Sequence, residues 1–138
     1  MSLYSIVESI HVIVAVGGLG QLAVIAYVAR KPEEGSLPLL KRLVTDVSGS
    51  LVVMLLTGIW LLWLENGIYA HTGWFGLSML LFLALGALTG ITRGTLKKIE
   101  ASGVPIASSP LLGKLRALTL WADILLVLIV FLMEGKPF

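Results

Sequence analysis

The chain has 138 residues, 57% hydrophobic and 13% charged, with a formal net charge of +2 and a mean hydropathy of +0.98. A soluble domain averages about 25% charged residues, so this composition points to a lipid solvent, and so small a charge excess points away from nucleic acid. With no cysteine, disulfides, thiolate metal sites and thiol redox chemistry are excluded.

Four apolar segments occupy almost the whole length, roughly 4–29, 43–64, 72–94 and 111–133. Each comes near or exceeds the roughly 20 residues that a helix needs to cross a hydrocarbon core of about 30 Å. Backbone polar groups in lipid must be satisfied within the segment, and period-two alternation is absent, so the segments read as helices. The fold class expected is all-α, a single integral membrane domain with four helices running up-down-up-down.

The first segment has no basic leader, and its apolar run is long and glycine-rich, so it reads as a retained helix and not a cleavable signal. It carries Glu8, His11, Gly17, Gly18 and Gly20. Lys31–Lys41 follows as a loop, in which Pro32, Gly35 and Pro38 stop the helix. The second segment ends near Asn66-Gly67, a turn dipeptide. Trp60, Trp63, Tyr69 and Trp74 gather around that turn, as an aromatic belt at a membrane interface would.

The third segment carries Met79 and then Gly86, Gly90 and Gly94 at spacings of four. This smooth strip is expected to admit a neighbouring helix of the same bundle, with a dimer interface or a cofactor cleft as alternatives. Thr95–Ala101 should extend that helix until Gly103 and Pro105 break it. Ser109-Pro110 reads as the N-cap and first residue of the fourth helix. Asp123 lies in the middle of that helix, between Leu120-Trp121-Ala122 and a run of aliphatic residues.

Nine of the ten Lys and Arg residues lie in or beside the two connections that would share one membrane face, and only Lys136 lies on the other. Cytoplasmic loops retain Lys and Arg, so both termini and the Glu65–His71 turn are expected outside and the two basic connections inside. The basic residues could also touch anionic lipid headgroups.

His11 is the leading candidate for chemistry. An imidazole inside a span faces the bundle interior and has a partner. That partner could be haem iron, with a carbonyl or carboxylate orienting the second nitrogen, or a neighbouring helix through a hydrogen bond. Glu8 is one turn away, but the spans offer too few further carboxylates for a dinuclear metal centre. Counted from the helix ends, Asp123 is a few ångströms deeper than His11, and a His11–Asp123 pair is geometrically open. His71 and Met79 are the candidates for a second axial ligand, Met79 being the better matched in depth.

The stretches Ser9-Ile10-His11-Val12 with Gly17-Gly18, Leu56-Thr57-Gly58-Ile59-Trp60, and Phe131-Leu132-Met133-Glu134-Gly135-Lys136-Pro137 resemble a family of four-helix bacterial membrane proteins classed as domain of unknown function 2269. The likeness covers nearly all of the chain. More distantly, that family is similar to membrane protoporphyrinogen oxidases, which carry haem on a first-helix histidine, and to CopD-type copper-resistance membrane proteins. The resemblance implies a bacterial inner-membrane location and gives His11 the ligand role. The basic constellation of the oxidases has no counterpart here. The function expected is b-type haem binding and membrane electron transfer, with a non-catalytic accessory subunit of a larger membrane complex as the alternative. The partners expected are the lipid bilayer and a larger complex or a homo-oligomer. Copper handling is disfavoured by the absence of cysteine and the few methionines, and transport by the small number of polar groups within the spans.

Overall fold

A computed structural model describes residues 2–67 and 71–135. Its helices are α1 (Leu3–Val14), α2 (Gln21–Arg30), α3 (Ser36–Leu64), α4 (Gly73–Ser102) and α5 (Leu112–Gly135). One π-helical turn, Ala15–Leu19, joins α1 to α2, so the two form one continuous element. Among the described residues there is no strand. Four helical stretches are long and apolar enough to cross a membrane: Leu3–Arg30, Ser36–Leu64, Gly73–Ser102 and Leu112–Gly135.

Half-buried and buried positions of the first span recur at Tyr4, Val7, His11, Val14, Gly18, Leu22, Ile25 and Ala29, at a mean spacing of about 3.6 residues, the α-helical period. Within this stripe the Gly20 N–H reaches back five residues to the Ala15 carbonyl at 3.2 Å, a π-type bond that widens one turn.

The first span lies antiparallel on α3. Tyr4 donates to Glu65 Oε1 at 2.6 Å, His11 meets Thr57, and Gly18 faces Ser50. Each step along one helix is matched by an opposite step along the other. α1 packs chiefly on α3, α2 packs on both α3 and α5, and α4 packs on α5 and α3. The first span and α4 are therefore diagonal. Ile25, Ala29, Leu40, Val44, Val47, Leu85, Leu96, Ile99 and Leu115 fill the core. Large side chains such as Ile13, Val16, Leu83, Val127 and Phe131 are exposed on the outside. Such a surface is stable in hydrocarbon and costly in water.

Several boundaries differ from the sequence reading. α3 begins at Ser36, so the connection shrinks to the residues around Lys31–Gly35. Pro38 falls inside the first turn of α3, where its missing N–H would have had no helical partner. Ser36 Oγ accepts from the Glu33 N–H at 2.7 Å and tightens this entry. α4 runs on to Ser102, and Gly103 (φ 70°) ends it in the left-handed region. Ser109 Oγ accepts from the Leu111 N–H at 3.2 Å at the start of the last helix. Trp60 and Trp63 are exposed, whereas Trp74 is buried at 6% and belongs to the core, not to an interfacial belt. Tyr69 lies outside the described residues.

The glycine strip is also placed differently. A Cβ on Gly86, Gly90 or Gly94 would meet no heavy atom within 4 Å. The strip therefore faces away from the bundle. The close approach occurs at Gly18, where a Cβ would stand 2.5 Å from Ser50 Cβ and 2.0 Å from Ser50 Oγ.

Candidate functional site

The centre of the candidate site is the His11–Thr57 pair. α1 turns His11 toward α3 because His11 occupies the same stripe as Val7 and Val14. Its Nδ1 lies 2.6 Å from Thr57 Oγ1. Thr57 Oγ1 also lies 2.8 Å from the Val53 carbonyl and 3.2 Å from that of Met54. Thr57 has one hydroxyl proton for these partners. With that proton donated to a backbone carbonyl, the hydroxyl accepts from the His11 Nδ1–H and Nε2 keeps its lone pair; with it donated to Nδ1, the ring hydrogen sits on Nε2 instead. Gly58 lies beside the ring: a Cβ there would stand 3.6 Å from His11 Cε1, an ordinary contact.

A small cavity lined by Leu22, Val44, Thr89, Thr119 and Ala122 brings four helices to one level and serves as a depth marker. At about 1.5 Å per residue, His11 lies about 16 Å from this level toward the Glu65 end. Met79 lies about 15 Å from it in the same direction by the same count. The two are matched in depth on diagonal helices, and Met79 is half-buried. Asp123 adjoins Ala122 at the marker itself. It is about 16 Å deeper than His11, so the His11–Asp123 pair is not formed, and Thr57 takes the position of the orienting group. Counting from helix ends misjudges Asp123 because the described part of α5 stops short of its neighbours: it runs about 20 Å from the marker to Gly135, against about 28 Å from the marker to Leu3. His71 is exposed, ahead of α4.

Ser78 is fully buried, and its hydroxyl has no hydrogen-bond partner among the described residues. It sits beside Met79, in the layer of His11. Leaving a buried hydroxyl unmatched costs about 1–3 kcal/mol. By contrast Thr89, Thr92 and Thr95 each return their proton to the carbonyl four residues back, at 2.7–2.9 Å.

No family model matches this chain, and neither a curated protein nor a solved structure matches it.

Three or more His, Cys, Asp or Glu side chains do not gather into a metal-holding group anywhere among the described residues. The donor set at His11 is thus one imidazole with its Nδ1 engaged by Thr57. That is the form in which histidine serves as an axial ligand, with a second group orienting it. The donor chemistry fits a single haem ligand, with the Met79 thioether the depth-matched candidate for a second. The space beside Gly18 is taken by Ser50. Sequence reasoning passed over Thr57 as a site residue, although it lies in the Leu56-Thr57-Gly58 stretch. The available signal was a hydroxyl residue inside an otherwise apolar run of the helix antiparallel to His11.

Proposed function

We propose that this is a multi-pass membrane protein that holds b-type haem through His11 Nε2 and passes electrons within the bilayer. The observation that carries the reading is the 2.6 Å contact of His11 Nδ1 with Thr57 Oγ1. With the Thr57 proton on backbone, this contact would orient the imidazole and leave Nε2 free as a ligand in an apolar helix. Met79, at matching depth, would supply the second axial ligand. Haem supplies one-electron chemistry; the protein's part is to orient the ligand and exclude water. Reduced-minus-oxidised visible spectra of detergent-purified protein, made with ample haem, test it. A Soret band that disappears in His11→Ala supports the proposal. No Soret band and no iron in the wild type would refute it.

A second reading is favoured by the outward glycine strip of α4: a non-catalytic accessory subunit that packs against another helix in a larger complex or homo-oligomer. Close backbone approach is what such a strip permits.

The orientation proposed places both termini outside the cytoplasm and the two basic connections inside, on a bacterial inner membrane. The Lys/Arg asymmetry supports it, acting over connections this short. Reporter fusions after Phe138 and between Lys31 and Gly35 test it. Cytoplasmic activity at Phe138 together with external activity in the loop would reverse the orientation.

A further inference from the structure

At the basic end, α3 and α4 border a groove of about 230 Å³ lined by Lys41, Val44, Thr45, Arg93, Leu96 and Lys97. Its volume equals roughly seven or eight waters at about 30 Å³ each, enough for a phosphodiester group. Lys41 and Thr45 are one turn apart on α3, and Arg93 and Lys97 are one turn apart on α4. The cations therefore converge from two helices on one space. Lys41 is paired with Glu100, the only ion pair among the described residues. Arg93 and Lys97 have no carboxylate partner. Asp46 is exposed on α3 and lies outside the groove lining. Arg42, Lys98 and Lys114 are also exposed and do not line it.

The floor is Val44 and Leu96, both buried at 1%. Val52, Val53, Leu83 and Ile91 on the same two helices are exposed. A free anion would satisfy the cations and leave this apolar surface bare. A phospholipid satisfies both, with its phosphate between Arg93 and Lys97 and its acyl chains along the helices. Unpaired positive charge favours a lipid with net negative charge over a zwitterion.

We infer that the α3–α4 groove is a binding site for one anionic phospholipid, held at its phosphate by Arg93 and Lys97, with Lys41 and Thr45 closing the opposite wall. The inference rests on the membrane reading but not on haem. Carbonate extraction tests the membrane reading separately: wild-type protein released from membranes by carbonate would refute that reading by itself.

For carbonate-resistant protein, native mass spectrometry in detergent measures retention of phosphatidylglycerol, phosphatidylcholine and inorganic phosphate. The wild type should retain one phosphatidylglycerol in preference to phosphatidylcholine, and inorganic phosphate should not displace it. Arg93→Gln/Lys97→Gln should weaken that binding by about thirty-fold, about fivefold for each cation. Lys98→Gln/Lys114→Gln removes the same charge outside the groove and should change it less than about twofold, as non-lining charges do. Equal losses in both double variants, no loss in the first, or displacement by inorganic phosphate would overturn the proposal. A photoactivatable phosphatidylglycerol on wild-type protein provides a readout free of folding effects. Crosslinks to 41–45 and 93–97 support the site, and crosslinks confined to other segments overturn it.

Discussion

Arg116 closes the end of α2. Its Nε donates to the Ala29 carbonyl at 3.1 Å and its Nη2 to the Arg30 carbonyl at 3.0 Å. These carbonyls belong to the last turn of the first span, where no helical N–H remains to reach them. A cation at a helix C-terminus also meets the negative end of the macrodipole. The contact ties the beginning of α5 to the end of α2 across the bundle. Arg116→Met keeps the apolar stem and removes both bonds. It should lower stability by about 1 kcal/mol and the thermal midpoint in detergent accordingly. Lys114→Met, in an exposed position without such contacts, should leave the midpoint unchanged.

Gly18 and Ser50 make a close helix approach. A methyl on Gly18 cannot be placed without moving Ser50, because both Ser50 Cβ and Oγ lie within 2.5 Å of it. Gly18→Ala should destabilise by about 1–3 kcal/mol through overpacking. In a Ser50→Gly background both blocking atoms are gone, and the same substitution should cost clearly less. A double-mutant cycle on thermal midpoints measures the difference. Costs that are equal in the two backgrounds would place the strain elsewhere.

Gly90→Leu should behave in the opposite way. No atom of the bundle lies within 4 Å of its Cβ, and leucine favours a helix over glycine by about 1 kcal/mol. The folded chain in detergent should keep or raise its thermal midpoint. A loss of midpoint together with a fall in native mass would show that another helix packs on the strip in an oligomer.

These two glycine sites show what was legible and what was not. Four apolar stretches, their helical state and the breaks near Asn66, Gly103 and Ser109 follow from length, hydropathy and turn chemistry, which are local properties. A G-x-x-x-G-x-x-x-G spacing is local too, but it marks a smooth face without saying what covers it. That depends on which side of α4 meets α5 and α3. Gly18 gave a weaker signal, because its contact with Ser50 depends on how α3 is placed against the first span. The His11 layer was partly legible. Met79 agrees in depth because α1 and α4 enter from the same end. Asp123 does not, because the offset between helices depends on contacts such as Arg116 with Ala29, which carry no local sequence mark.

Thr57→Val separates an oriented imidazole from a merely buried one. Valine nearly matches threonine in shape, removes the hydroxyl that meets His11 Nδ1, and frees the Val53 carbonyl from its extra bond. If the pair serves only to join helices, the loss is one buried side-chain hydrogen bond, about 1 kcal/mol of stability, and His11→Ala should cost a similar amount or more. Neither variant would then change a spectrum. If His11 is an axial ligand, Thr57→Val should keep haem bound but loosen it and shift its reduction potential, since the group that fixes the ring and raises its basicity is gone; losses of this kind are typically about 10–100-fold in affinity. His11→Ala should abolish haem binding, and Met79→Leu should alter the spectrum while leaving one ligand in place. The decisive comparison is Thr57→Val with Thr57→Ser. Serine retains the hydroxyl and should restore the wild-type spectrum and potential even where the lost methyl lowers stability. A spectrum that follows stability across Val and Ser alike, with no separate effect of the hydroxyl, would remove Thr57 as the positioning group for His11.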